Sequence, residues 1–449
     1  MKKYKFQRIK LSALIALCTC LMSFTSNKQS IPYTQTDILV IGGGTSGTIA
    51  AIQAARIGCS TILIEAGSQL GGTMTTGGVP FPGLFHAWGK QIISGIGWEL
   101  VKETVEMNNG KMPNFSKPYG KAHWRHQIKI NGYLYALLAE EKCLQAGVDI
   151  HYYEIPTQVK KIADGWLVTI VGKGTEYIIK TRQIIDCTGD AAVVALAGYD
   201  RLKEEVPQPG TLMFEMEGCD YKTLDEKVVK QRYDEAIAKG TLLKIDSYNG
   251  VKAMTQARPG LSVQHVLNAN SSTSALHTKS NIEGRKSLMR ILRFIKSLPG
   301  CENARLKGMQ PETAVRESYR IDGLYQITHE DYIGGRIFED ALSYSYYPID
   351  LHVEEGVTPK HLVDSAVATV PLRALIPKKS TNMIVAGRCV SSDQLANSAL
   401  RVQASCMGMG QVAGAVAGVA CKTNTSPAQV PLNEVRKILK EHGAIVPQK

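Results

Sequence analysis

Between residues 42 and 65 stand the residue types that a phosphate-bearing ligand needs: Gly42-Gly43-Gly44-Thr45-Ser46-Gly47 and, eighteen residues after Gly47, the acid Glu65. Gly42 permits a tight turn, Gly44 lets backbone approach a pyrophosphate, and Gly47 lets a helix pack closely on a sheet. Thr45 and Ser46 open that helix, whose unpaired N–H groups favour negative charge. Glu65 can accept from both hydroxyls of an adenosine ribose. The elements that must hold these residues are legible on either side. Thr36-Asp37-Ile38-Leu39-Val40-Ile41 reads as a strand, and Thr61-Ile62-Leu63-Ile64 as a second. Between them Ala50, Ala51, Ala54 and Ala55 keep a helix thin, and Gly58 is placed to end it. The order strand, glycine loop, helix, strand, acid predicts a dinucleotide site.

The residues after the second strand separate the two common dinucleotides. A plain NAD domain would continue with alternating strands and helices, whereas here Leu70-Gly71-Gly72-Thr73-Met74-Thr75-Thr76-Gly77-Gly78 comes next. The N–H groups around Gly71 and Gly72 could cradle phosphate, or the run could be a connector. Val148–Tyr153 reads as a third strand, and residues 158–180 as an antiparallel meander with turns at Asp164-Gly165 and Lys173-Gly174. A meander interrupting the crossover is typical of FAD domains.

Two further segments carry a family resemblance. Gln183-Ile184-Ile185-Asp186-Cys187-Thr188-Gly189-Asp190 resembles the strand and Thr-Gly-Asp turn beside the cofactor in glutathione-reductase-type FAD proteins. Asn382–Asp393, with Ala399-Leu400-Arg401-Val402-Gln403 and Met407-Gly408-Met409-Gly410-Gln411, resembles the flavin-closing motif of the FAD-dependent oxidoreductases that include heterodisulfide-reductase-related flavoproteins. Ala314–Ile321 and Tyr347–His352 also look like that family. The resemblance implies bound FAD and redox chemistry on a small-molecule substrate, with no substrate or electron partner named. It adds Thr188, Gly189, Asp190, Gly387, Arg388, Asp393, Gly408 and Gly410 to the cofactor residues. Near the C-terminus, Gly410, Gly414 and Gly418 form a small-residue stripe at spacing four, suited to close contact with sheet or cofactor. The dipole at the N-terminus of that helix would favour negative charge on a reduced flavin. A membrane helix competes with this reading, but the apolar run is short for a bilayer.

Flavin would supply hydride chemistry, leaving the protein to place the substrate and handle its proton. Strand alternation through Val315–Ile321 would put Arg316, Ser318 and Arg320 on one face, where two guanidinium groups suit an anionic oxygen. The alternative is pairing with structural acids such as Glu317 or Asp322. Asp350 and His352 share a face and suit proton abstraction, or form a structural pair. His86 lies in the aromatic loop Phe81–Gly89, as a pocket residue or plain surface loop. No metal site is expected.

The expected architecture is α/β: a Rossmann-type FAD-binding domain assembled from residues 34–80, 140–200 and 380–425, with an inserted α+β substrate or cap domain from 81–139 and 201–379. Residues 426–449 read as a peripheral tail. The chain carries 52 basic and 40 acidic side chains, but Lys2, Lys3, Lys5, Arg8, Lys10 and Lys28 fall in residues 1–30, which hold no acid. Beyond them 46 basic side chains face 40 acidic ones, a mild excess without basic-aromatic runs, so nucleic-acid binding is not expected. The basic start and apolar Leu11–Phe24 read as a signal peptide within residues 1–30, which implies export to a bacterial periplasm or cell envelope. Leu17-Cys18-Thr19-Cys20 approaches a lipoprotein box, with Thr19 out of pattern; Cys20 is the candidate lipid anchor, and cleavage near Ser26 is the alternative. The eight later cysteines form no CxxC, which argues against a redox-active disulfide and iron–sulfur ligation, and their spacing sets no pairing. A ligand-binding protein that keeps this fold without flavin is the competing reading of the whole chain.

Overall fold

The computed structural model describes residues 32–117 and 122–448; the expected signal segment, with Cys18 and Cys20, lies outside them. Strand β1 (Tyr33–Ile41) leads through the glycine loop into helix α1 (Thr45–Arg56) and strand β2 (Thr61–Glu65). Ile38, Leu39, Val40 and Ile41 are all buried, as a strand covered on both faces requires. Val40 pairs in parallel with Leu63 of β2 on one side and with Ile185 on the other. Helix α1 ends where Gly58 enters a positive φ, its N–H donating to Ala55 O.

The remaining strands complete a seven-stranded sheet. Strand β3 (Asp149–Tyr152) joins β2 in parallel. Strands β4 (Ile155–Ile162) and β5 (Gly165–Gly172) form the expected meander with β6 (Thr175–Asp186). Strand β6 does double duty along one edge. Residues 175–181 pair antiparallel with β5, and Ile184–Asp186 pair in parallel with β9 (Met383–Val385) from the far end of the chain. The order β3-β2-β1-β6-β9 therefore draws on three separated segments of sequence.

A second unit has strands β7 (Thr211–Glu217) and β8 (Arg305–Ala314) paired antiparallel, with helix α2 (Ser274–Lys296) against them. Leu212, Phe214, Met254, Leu288, Ile291 and Ile295 form its own apolar core, and a Cys219–Cys301 disulfide closes it. Packing departs in some segments from the division expected from sequence. Phe85, Ile96 and Leu100, and Val435 and Leu439 from the C-terminal segment, are buried in the same cluster as Ile38 and Val40.

Helix α3 (Gln394–Leu400) leads into α4 (Gln403–Thr423). Among the described residues α4 is the one helix long and apolar enough to cross a membrane, and the whole of that stretch is buried inside the protein. The glycine stripe explains where it goes. A Cβ on Gly410 would stand 2.3 Å from Ser46 O, one on Gly414 2.4 Å from Ala50 O, and one on Gly418 1.8 Å from Ile57 Cδ1. The stripe thus lets α4 lie directly on α1, backbone against backbone at Gly410 and Gly414, with the Ile57 side chain just past α1 filling the space at Gly418. Gly410→Val should lower stability by roughly 1–3 kcal/mol or more through overpacking. Gly408→Ala meets nothing closer than Ser343 Cβ at 3.4 Å and should be neutral or slightly stabilising. Urea unfolding midpoints for the two variants check this, and equal losses would contradict the packing assignment.

Candidate functional site

A cleft of about 390 Å³ runs along the carboxyl ends of β1, β2, β6 and β9. Gly42 has φ +98°, and a Cβ there would sit 2.5 Å from Cys187 O, so the turn out of β1 requires glycine. A Cβ on Gly47 would overlap Gly42 O at 1.8 Å. Gly44 differs from both. Its φ of −68° suits any residue, and an added Cβ would find only Gly72 Cα, at 4.0 Å. Glycine at 44 therefore keeps open space in the cleft, which is what a pyrophosphate passing over the start of α1 needs.

The second glycine loop backs the first. Gly71 N–H donates to Gly43 O, Thr45 Oγ1 donates to Gly71 O at 3.2 Å, and a Cβ on Gly72 would lie 2.9 Å from Gly44 Cα. Glu65 lines the cleft, and its two oxygens accept from Gly43 N–H and Gly67 N–H, each at 2.6 Å. Burial pushes its carboxyl above the usual range, opposed by those two N–H groups. Each oxygen keeps a lone pair for a ribose hydroxyl. At the other end, buried Asp186 shapes the Thr-Gly-Asp turn. It accepts from Thr188 Oγ1 and N–H, and from Val193 N–H and Val194 N–H. Arg388 spans the turn by donating to Gly189 O, Val315 O, Asp190 Oδ1 and Ser271 Oγ. Ser46 Oγ donates to Ala386 O, joining α1 to the chain beside Gly387.

A second, smaller cavity of about 190 Å³ lies between the sheet domain and β7/β8. Thr73, Ala314, Val315, Arg388, Arg401 and Gln403 line both spaces, so the two share a wall. Charged and ring side chains crowd the smaller one. His352 Nε2 stands 3.3 Å from Asp350 Oδ2, and His352 Nδ1 lies 3.1 Å from His265 Nε2. Arg401 reaches Asp350 Oδ2 at 3.6 Å and Gln208 Oε1 at 3.2 Å. Burial, with Arg316 nearby, pushes the His352 ring down to about 4, and burial brings His265 to about 3. For Asp350, burial raises the carboxyl, but the bond to His352 and the charges of Arg401 and Arg316 outweigh it and bring it to about 2. At neutral pH the pair is therefore carboxylate and neutral imidazole.

A profile of the FAD dependent oxidoreductase family matches residues 37–439. The chain belongs to that family. Its cofactor is FAD. Among curated relatives, digeranylgeranylglycerophospholipid reductase 1 of Methanothermobacter thermautotrophicus is 24% identical over 287 residues, 61% of this chain and 64% of that protein. Dihydrolipoyl dehydrogenase of Trypanosoma brucei brucei is 25% identical over 202 residues, 43% of this chain and 33% of that protein. The matches thus span from a third to just under two thirds of those relatives. A solved geranylgeranyl bacteriochlorophyll reductase-like protein from Thermoplasma acidophilum superposes with a TM-score of 0.40 at 13% identity, covering 91% of this chain and 84% of that one.

In this member of the family, Gly42, Gly44, Thr45, Ser46, Glu65, Gly72, Thr188, Gly189, Asp190, Gly387 and Arg388 line the larger cleft. Gly47 and Gly71 support it from behind. Three expected cofactor residues stand elsewhere. Asp393 caps α3 through Ala396 N–H and accepts from His329 N–H; Gly410 packs on Ser46; Gly408 lies beside Ser343. Of the expected catalytic residues, Arg316, Asp350 and His352 meet in the smaller cavity. Arg320 does not join them, because β8 ends at Ala314 and residues 315–319 are irregular, so strand alternation fails. Its guanidinium is buried against Glu204, Glu317 and Ser392 O. His86 lines neither space: its ring stacks on Phe115 at 3.7 Å, and burial holds it down to about 4. Sequence reasoning assigned no role to Arg401, although it stood in a motif, or to His265, which no spacing marks. Gly44→Asp should fold normally, since it meets no protein atom closer than 4.0 Å, yet lose FAD by placing a carboxylate in the phosphate path. Absorbance near roughly 450 nm reports the flavin, and full occupancy in a folded variant would refute the site.

Proposed function

We propose that the protein is an exported enzyme that transfers hydride between FAD and a small organic molecule seated in the smaller cavity. The observation that carries this reading is the shared wall of six residues, which places a substrate-sized space directly against the cofactor cleft. When bound there, FAD supplies the two-electron chemistry. The chain's residues supply position and charge. Arg401 and Gln403, at the start of α4, face both spaces, and the N-terminal end of that helix favours negative charge between them. His352 is a positioning residue, because both its nitrogens are engaged, one by Asp350 and one by His265. Asp350 is the one carboxylate on the wall of the smaller cavity among the described residues and is held ready by His352 and Arg401. Family membership favours this enzyme over a binding protein without flavin.

A second dinucleotide fingerprint is absent from the sequence, and the one present belongs to FAD. Hence NADH and NADPH should bleach the flavin slowly or not at all, while a cognate organic substrate should bleach it within a catalytic turnover. Anaerobic stopped-flow mixing tests this, and fast saturable reduction by either nicotinamide would overturn it.

Export rests on the basic and apolar residues before Ser26, and the Cys219–Cys301 disulfide supports an oxidising compartment. Intact mass of protein from the envelope fraction should show a chain starting at an acylated Cys20 or near Ser26. A mass that retains Met1 would contradict export.

A further inference from the structure

The basic groups around the two spaces are matched by acids, except where Arg316 and Arg401 stand together beside a single carboxylate, Asp350. Arg388 is paired with Asp190 at 2.9 Å, and Arg320 with Glu204 and Glu317. Arg316 has no such partner: its donors go to the neutral Pro209 O and Ser262 Oγ. Arg401 reaches the Asp350 carboxylate at 3.6 Å and donates to the neutral Asp350 O and Gln208 Oε1, each at 3.2 Å, while its buried Nε has no hydrogen-bond partner. Both guanidinium groups line the smaller cavity. Burial and the neighbouring Arg401 push Arg316 down to about 10, outweighing the opposing pull of Tyr248 and Asp350, as for a cation held beside a like charge. Leaving a buried charge so placed is costly unless an anion joins it.

Resting on the smaller cavity being the substrate site, we propose that it takes a small monocarboxylic acid whose carboxylate is held by Arg316 and Arg401. Charge arithmetic sets the class. Arg316 and Arg401 contribute +2 and Asp350 −1; Arg388 is cancelled by Asp190, and His352 and His265 are neutral, so the wall carries +1. One carboxylate neutralises that, whereas a phosphate dianion would leave an excess. The planar guanidinium fork also matches a carboxylate edge. Val79, Phe81, Met213 and Val402 line the same cavity and suit an apolar remainder, and its volume of about 190 Å³ restricts that remainder to a few carbons or one ring.

The test uses the FAD-loaded protein with butyrate and benzoate, their amides butyramide and benzamide, and inorganic phosphate, read by calorimetry and by flavin difference spectra. The carboxylates should bind at least ten-fold more tightly than the amides or phosphate. Arg316→Gln should weaken the carboxylates by ten-fold or more while FAD content stays unchanged, since Arg316 lines only the smaller cavity. Arg316→Lys, which keeps the charge and loses the fork, should fall between them and serves if the glutamine variant fails to fold. Equal binding of acids and amides, preferred binding of phosphate, no binding of either acid, or undiminished binding in both variants would overturn the proposal. If neutral compounds bleach the flavin while the acids do not bind, the hydride-transfer reading stands and the acid site falls. If the acids bind with the expected variant sensitivity but no organic compound bleaches the flavin, the reverse holds.

Discussion

The contact between α1 and α4 is the constraint on which the rest depends. Three glycines on one face of α4 remove every atom that would keep the two helix backbones apart, and Ser46, Ala50 and Ile57 occupy the space so released. The first turn of α1 is also the phosphate-facing turn, and the first turn of α4 faces the shared wall through Gln403. One close packing therefore sets the distance between the two ends of the site. Segments separated by more than three hundred residues meet there, through Ser46 Oγ and Ala386 O. An ordinary larger side chain at 410 or 414 would wedge the cofactor domain open at its centre.

Electrostatics divides the site in two. In the larger cleft, Arg388 is paired with Asp190, and Glu65 accepts from two backbone N–H groups. In the smaller cavity, cations exceed anions, and the histidines are kept neutral by burial. A neutral His352 linking Asp350 to His265 stiffens the wall and adds no charge to it.

How much of this was legible in the sequence depended on whether a feature was local. The first strand, the glycine loop, its helix and Glu65 lie within thirty residues and are set by spacing alone; so is the meander, whose turns carry their own signals at Gly165 and Gly174. The glycine stripe was visible as a stripe, but only the fold shows that its partner is α1. Arg316 and Arg320 look equivalent by alternation, and the irregular backbone after Ala314 separates them. Asp393 resembled a cofactor residue because a helix cap and a cofactor carboxylate have the same sequence signature, an acid just before a helix. His265 meets His352 from a loop remote from it in sequence, and no periodicity encodes such a meeting.

Glu65 carries a consequence for the order of events in the life of the chain. Its carboxylate ties the glycine loop to the end of β2 through Gly43 N–H and Gly67 N–H. The loop is therefore shaped by the protein's own atoms, and little conformational entropy is left to lose when the nucleotide arrives. Under the export proposed above, the chain would assemble its receptor before it meets FAD. A cradle pinned from within is the form of receptor that can wait empty.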